Sequence, residues 1–378
     1  DGLTVGQLLA SQRLPETLFQ PYLVRGDDAT PVPLSTRLND LPPDADKLVL
    51  CAIRNTLFST ILPADPVNTG LPHSVEPGVG FRQIRPGPDG QAVEMTAVLD
   101  YYQSRELVKQ RVAEFVQTHN VAKRGCLFGV SGGGDSNALA YGLAAAVPPE
   151  QLCAFTVVFG AAFTEAAASR AAVLCQDLGI RHTILRNTEI VEILGMRTSV
   201  DDLYEDFIQA FGDKALHFFG TFLILRIARH LADRQNMSDL AFGYNREDLL
   251  AEALFMLMNG RQPLALPTRP MGKHRVIMPV WEVPKLVLDA CHPAFSLENY
   301  RERDSHTLRT RSLAFFLAHA MDSAYPSFGL SVLTGIAQVF QDHWGELTYD
   351  DDLDVFVTSH ADESTIDTVR SMLSKHFN

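Results

Sequence analysis

The chain lacks any Cys-x-x-Cys pair, any Walker A loop, and any apolar run long enough to cross a bilayer. Its five cysteines are Cys51, Cys126, Cys153, Cys175 and Cys291, and the nearest two, Cys153 and Cys175, stand 22 positions apart. An odd count at such spacing excludes a disulfide framework and points to reduced thiols in a cytoplasmic protein. Iron–sulfur and zinc sites usually draw their thiolates from closely spaced pairs, so no iron–sulfur cluster is expected. Positive charge is also short: 32 Lys and Arg stand against 45 Asp and Glu, a formal charge of −13. A broad grip on nucleic acid needs clustered basic residues, so a nucleic-acid partner is not expected. Asp1 opens no signal-peptide pattern, and no membrane partner is expected. With 378 residues and 46% hydrophobic composition, two or three domains with a sizeable core are affordable.

What is present centres on Val130-Ser-Gly-Gly-Gly-Asp-Ser136. The apolar run Gly125–Val130 precedes it, and the helical pattern Ala138–Ala146 follows. A strand running through a glycine turn into a helix aims backbone N–H groups and a positive dipole end at one point, which suits a phosphate. Glycines let the backbone approach phosphate oxygens without a Cβ in the way. Asp135 adds a carboxylate beside that nest, as expected if Mg²⁺ rides on the phosphates. The heptapeptide resembles the signature of the PP-loop ATP pyrophosphatases, Ser-Gly-Gly-x-Asp-Ser. That resemblance implies ATP and Mg²⁺ as ligands, held by Ser131, Gly132, Gly133, Gly134, Asp135 and Ser136, with Asp135 the metal ligand. It also implies that Val157, Val158 and Phe159, ending the next strand, take the adenine edge through backbone groups.

From Arg124 onward apolar strands alternate with helices, which predicts an α/β fold with a doubly wound parallel sheet. Ligands of such sheets sit beyond the carboxyl ends of the strands. Residues 1–56 read as a small α+β domain in which Thr4 caps a helix over Leu3–Ala10, followed by strands at Phe19–Val24 and Lys47–Ile53. This order is similar to the second half of a β-grasp domain. Residues 57–96 are rich in Pro and Gly and read as an irregular linker, 97–290 as the nucleotide domain, and 291–378 as a mostly helical region. The acidic run Asp350–Asp352 reads as solvated surface.

A second signature, Phe242-Gly-Tyr-Asn-Arg-Glu-Asp248, enters a helix. Gly243, Arg246 and Asp248 match the family's Gly-His-x-x-Asp-Asp position, with Tyr244 and Asn245 in place of the usual His pair. Together with Leu264–Pro267 and Val276-Ile-Met-Pro-Val280, it resembles the branch of tRNA 2-thiocytidine synthetase and tRNA-Ile lysidine synthetase, over roughly residues 122 to 286. In the 2-thiocytidine enzymes cysteine pairs hold an iron–sulfur cluster; the corresponding places, near Leu216–Phe222 and Tyr300–Asp304, have no cysteine here. The resemblance implies adenylation of a carbonyl oxygen, with AMP and pyrophosphate released and a nucleophile displacing AMP. Sulfur transfer to a small heterocycle such as a nucleobase leads; amide or amidine formation is the alternative, and tRNA-base thiolation a third. Asp135, Arg246 and Asp248 are the catalytic candidates. Cys291, with His292 beside it as a base, is the first candidate for carrying sulfur, and Cys51 the second. A cysteine desulfurase or sulfur carrier would supply the sulfur, and a homodimer is compatible with such a chain.

Overall fold

The computed structural model describes residues 2–12, 14, 19–26, 28–52, 79–86, 90–99, 101–160, 164–212, 215–291, 309–324, 327–359 and 361–377. Helix α1 (Val5–Ser11) starts at a capping box: the Thr4 hydroxyl accepts from the Gln7 amide, and the Gln7 side chain accepts from the Thr4 amide. It is followed by β1 (Phe19–Arg25), β2 (Asp28–Pro31) and β3 (Lys47–Ala52), an antiparallel sheet in the order β2-β1-β3. Val5, Leu23 and Val32 form its small core. Strand β2 is additional to the two strands expected.

Strands β4 (Val79–Pro86) and β5 (Ala92–Leu99) pair as an antiparallel hairpin. This corrects the reading of 57–96 as irregular throughout, whose residues 57–78 lie outside those described. Cross-strand hydrogen bonding outweighs the Pro and Gly content here, because both prolines and glycines fall mainly at the strand ends.

The central domain opens with α2 (Tyr101–His119), β6 (Cys126–Gly129), α3 (Gly134–Ala146), β7 (Leu152–Val157), α4 (Glu165–Asp177) and β8 (Arg181–Leu185). Next come α5 (Asn187–Leu194), α6 (Val200–Phe211), α7 (Ala215–Gln235), β9 (Asp239–Ala241) and α8 (Arg246–Met258). It closes with β10 (Thr268–Met271), β11 (His274–Ile277) and α9 (Lys285–Cys291). The six strands form one sheet in the order β10-β11-β9-β6-β7-β8, parallel except for β10. The doubly wound α/β expectation is met. Strands β6, β7 and β9 are buried on both faces, as parallel strands must be when helices cover them. Side chains of α2, α3, α4 and α9 (Val112, Leu139, Leu174, Leu288) pack one core, and those of α5 to α8 (Ile190, Leu203, Ile227, Leu250) the other. Gly142 lets α3 lie against α2: a Cβ there would stand 2.4 Å from the Val112 methyl.

The C-terminal region holds α10 (Arg309–Ala324), α11 (Phe328–Phe340), the hairpin β12 (Leu347–Asp350) and β13 (Val355–Thr358), and α12 (Glu363–His376). The hairpin modifies the mostly helical expectation. The acidic run forms its turn, where the Asp350 carboxylate accepts from the Asp352 and Leu353 amides. Buried Asp354, in the left-handed region at φ 56°, accepts from Arg229 and Tyr349, while Arg226 donates to the Leu353 carbonyl at 2.9 Å. Arg226 also lies 4.2 Å from the Phe377 ring. His376, fully buried, meets Asp206 at 2.7 Å through Nε2 and the Thr198 hydroxyl through Nδ1. These contacts fasten residues 349–377 to α6 and α7.

Candidate nucleotide site

The strand order reverses between β6 and β9, since β7 follows on one side of β6 and β9 on the other. That switch point opens a crevice beyond the carboxyl ends of the two strands. Both sequence signatures lie there: Ser131–Ser136 leaves β6 and enters α3, and Gly243–Asn245 leaves β9 and enters α8.

The loop's shape follows from its residues. Gly132 has φ 74°, and a Cβ on it would stand 2.2 Å from the Ala167 carbonyl oxygen, so only glycine fits. Gly133 is the N-cap of α3 and brings no side-chain cap. The first amides of a helix have no intrahelical acceptors, and a start without a side-chain cap is a setting that suits an anion. Ser136 braces the turn: its hydroxyl accepts from the Ser131 amide at 3.0 Å and donates to the Gly133 carbonyl at 3.2 Å. The Ser131 hydroxyl lies 3.1 Å from it. Buried Arg170 donates to the Gly132 carbonyl at 3.3 Å. Beneath, the Thr156 hydroxyl donates to the Val130 carbonyl at 2.5 Å and lies 2.8 Å from His182 Nε2. Having spent its one proton on Val130, Thr156 accepts from His182, which puts the histidine proton on Nε2. Burial holds His182 below its ordinary pKa.

The second signature presses on the first. A Cβ at Gly243 would stand 3.1 Å from the Asp135 backbone. Asn245 caps α8 in a reciprocal box with Asp248, whose carboxylate accepts from the Asn245 amide. Its own amide group donates to Asp135 Oδ1 at 3.3 Å. Asp248 therefore serves the start of α8, and Arg246 is buried and paired with Glu247 at 2.7 Å. Lys285 from α9 reaches the same point: Nζ lies 2.7 Å from Asp135 Oδ1 and 2.5 Å from Asp289 Oδ1, and its amide donates to Glu247 at 2.8 Å.

The structure thus gathers Ser131, Gly132, Gly133, Gly134, Asp135, Ser136, Gly243, Arg246 and Asp248, and adds Asn245, Glu247, Lys285, Asp289 and Arg170. Sequence reasoning missed the additions. The i,i+4 spacing of Lys285 and Asp289 at a helix start, and the Asn-x-x-Asp box, were signals that could have found them. One expectation is narrowed and one corrected. Of the backbone groups expected at the adenine edge, the Val158 amide donates to the Leu185 carbonyl at 2.8 Å and is spent on the sheet. Neighbouring Val157 is buried at the strand end, and the Phe159 ring packs in a cluster with Tyr204 and Phe219, at 5.2 and 5.1 Å. Cys291 is fully buried, its thiol 3.3 Å from the Val287 carbonyl, and burial pushes its pKa up to about 12. A thiol so held stays protonated and is a packing residue, not a sulfur carrier. Cys126, Cys153 and Cys175 are buried with raised pKa values as well. The Cys51 side chain, His292 and Tyr300–Asp304 lie outside the described residues. Among the described residues, no helix is long and apolar enough to cross a membrane.

No family model matches the chain, and no curated protein matches it in sequence. Among solved structures it is similar to the U34-tRNA thiolase NcsA from Methanococcus maripaludis, at 17% identity over 63% of this chain and 80% of that one, with a TM-score of 0.48. An NH3-dependent NAD synthetase from Campylobacter jejuni gives 18% identity over 73% of this chain and 94% of that one, with a TM-score of 0.35. NMN synthetase from Francisella tularensis gives 13% identity over 67% and 99%, with a TM-score of 0.38. All three are similarities at 18% identity or less. One correction follows. The Methanococcus thiolase carries a [4Fe-4S] cluster, which overturns the expectation that this chain is free of one, and that expectation is withdrawn. It rested on the spacing of cysteines along the sequence, and a fold can gather ligands that are distant in sequence.

Proposed function

We propose that the chain is an ATP-dependent enzyme of the PP-loop type, which transfers AMP to a substrate oxygen and releases pyrophosphate. The observation that carries this reading is the meeting of both signatures at the switch point, with Asn245 donating to Asp135. On this reading the first-turn amides of α3 and the Ser131 hydroxyl hold the departing pyrophosphate through charge-assisted hydrogen bonds. Asp135, whose side chain keeps 26% of its surface exposed at the crevice, is the residue that would hold magnesium. Magnesium, when bound to the phosphates, would supply neutralisation of their charge.

The substrate oxygen attacks the α-phosphorus and the bond to pyrophosphate breaks. A nucleophile then attacks the activated carbon, and AMP leaves with the oxygen. The four described cysteines are buried and held protonated, which supports a nucleophile delivered from outside the chain. Sulfide-level sulfur delivered by a donor protein, a cysteine desulfurase or sulfur carrier, to a small heterocycle is our leading reading; an amine is the second. The net charge of −13 favours a small molecule over tRNA.

The test incubates the protein with ATP, Mg²⁺ and a metabolite extract, with sulfide or ammonia in separate arms. We expect AMP and pyrophosphate, and a metabolite whose mass shows oxygen exchanged for sulfur or nitrogen. Asp135→Ala should abolish both products while the circular dichroism spectrum stays unchanged. ADP as the product, or no ATP consumption in any arm, would refute the reading.

A further inference from the structure

Lys285, like Arg246 and Glu247, is a charged residue buried beside the crevice. Its side chain is only 4% exposed, yet it carries a cation to the mouth of the nucleotide loop. A buried ammonium is costly unless it is paired and hydrogen-bonded. Here it lies 2.7 Å from Asp135 Oδ1 and 2.5 Å from Asp289 Oδ1. Its position is fixed from behind, because its own amide donates to Glu247 Oε2 at 2.8 Å and Glu247 is paired with Arg246. Arg246 in turn donates its amide to the Val283 carbonyl at 3.2 Å. The ammonium's partners thus lie on α3 and α9, while Glu247 of α8 holds the backbone of Lys285.

We propose that Lys285 is the internal counter-ion of the nucleotide loop: it neutralises Asp135 while no nucleotide is bound, and turns to the phosphates when Asp135 takes up magnesium. The proposal rests on the reading of the loop as an ATP site and deepens it. Two carboxylates facing one point would attract a divalent cation without any nucleotide. The ammonium occupies that point and prevents it. Mg²⁺ gives up its water reluctantly and usually binds through one or two carboxylates together with substrate phosphates. Only a ligand that brings phosphate oxygens can then offer the ammonium a new partner, so metal and nucleotide enter as a unit. Asp289 has a distinct part: at i,i+4 it keeps Lys285 tethered to α9 after Asp135 has let go. Lys285 is on this view a positioning residue, acting on the reaction through Asp135 and the phosphates.

The experiment is calorimetry on the full chain, with Mg²⁺ alone and with a non-hydrolysable ATP analogue plus Mg²⁺. Wild type should bind the analogue with Mg²⁺, and should not bind Mg²⁺ alone. Lys285→Met should gain binding of Mg²⁺ alone and lose affinity for the analogue on the order of tenfold or more, the scale of a truncated buried charge pair. Lys285→Arg, which keeps the charge, should restore most of the analogue affinity and abolish the gained metal binding. A merely structural lysine would not produce a gain of metal binding. If Lys285→Met fails to fold, wild type still decides: tight binding of Mg²⁺ alone means the ammonium is no barrier, and overturns the proposal. A folded Lys285→Met that binds both ligands like wild type overturns it too. If wild type does not bind the analogue at all, the ATP reading falls and this inference falls with it, an outcome distinguishable from failure of the lysine role alone.

Discussion

Replacing Gly132 by alanine imposes two separable costs on the loop. The first is conformational: at φ 74° an L-residue with a Cβ is strained by about 1–2 kcal/mol. The second is steric, because the new Cβ would stand 2.2 Å from the Ala167 carbonyl oxygen, a backbone atom that no rotamer change can move. Either the loop or the start of α4 must shift, which adds about 1–3 kcal/mol by analogy with overpacked cores. Gly179 supplies the control, since it has φ 67° and nothing within 4 Å of its Cβ position, so alanine there meets the first cost alone. Urea unfolding of the two variants should therefore differ by about 1–3 kcal/mol, with Gly132→Ala the weaker. The same shift displaces the Ser131 amide, so stabilisation by the ATP analogue should vanish in Gly132→Ala and persist in Gly179→Ala. Equal midpoints for the two variants, or a retained analogue effect in Gly132→Ala, would refute the claim that loop shape depends on this close approach.

Two further outcomes are expected. Thiol labelling of the native protein should leave Cys126, Cys153, Cys175 and Cys291 unmodified until the protein unfolds, as read by peptide mass spectrometry; prompt labelling of Cys291 would return it to the catalytic candidates. His182 should make stability fall with acid: burial lowers its folded pKa below the unfolded value near 6.5, so the unfolded chain binds the extra proton, and stability drops as pH falls from about 7 through 6.5 toward the lower folded value. His182→Gln should flatten that slope, and an unchanged slope would remove His182 from the cause.

Much of the nucleotide domain was legible because its signals are local. Six residues of loop, an apolar run before it and a helical pattern after it are contiguous, and they specify strand, turn and helix. The parallel sheet followed from the alternation of elements. What was not legible is what distance hides. Lys285 reaches Asp135 across 150 positions, and nothing near either residue announces the other. Cys291 was singled out for the His292 beside it, yet α9 turns its thiol into the core beneath α2 and α3. The hairpin of β4 and β5 was obscured by composition: Pro and Gly at 86–90 were read as a linker, whereas Pro-Asp-Gly between two alternating runs is equally a hairpin signal. Asp354 follows the acidic run Asp350–Asp352 after Leu353, and only the fold reveals that it is buried and paired with Arg229.

The fastening of residues 349–377 onto α6 and α7 bears on how the chain is made. Arg197 donates to the carbonyls of Ser374 and Phe377, Asp206 meets His376, and Arg226 covers Phe377, partners about 150 to 180 positions apart. During synthesis, α6 and α7 therefore emerge long before the groups that complete them. In that interval Phe222 and Arg226 lack their partner Phe377. Closing so long a loop late makes this step a slow one, and the partly made chain presents apolar surface meanwhile. The polar groups that meet at the crevice lie between residues 131 and 289, but α8, which carries one side of it, packs its Leu249 and Leu250 in one core with Ala314 and Ala318 of α10 and Leu333 of α11, so that side too is completed only when the later helices have emerged.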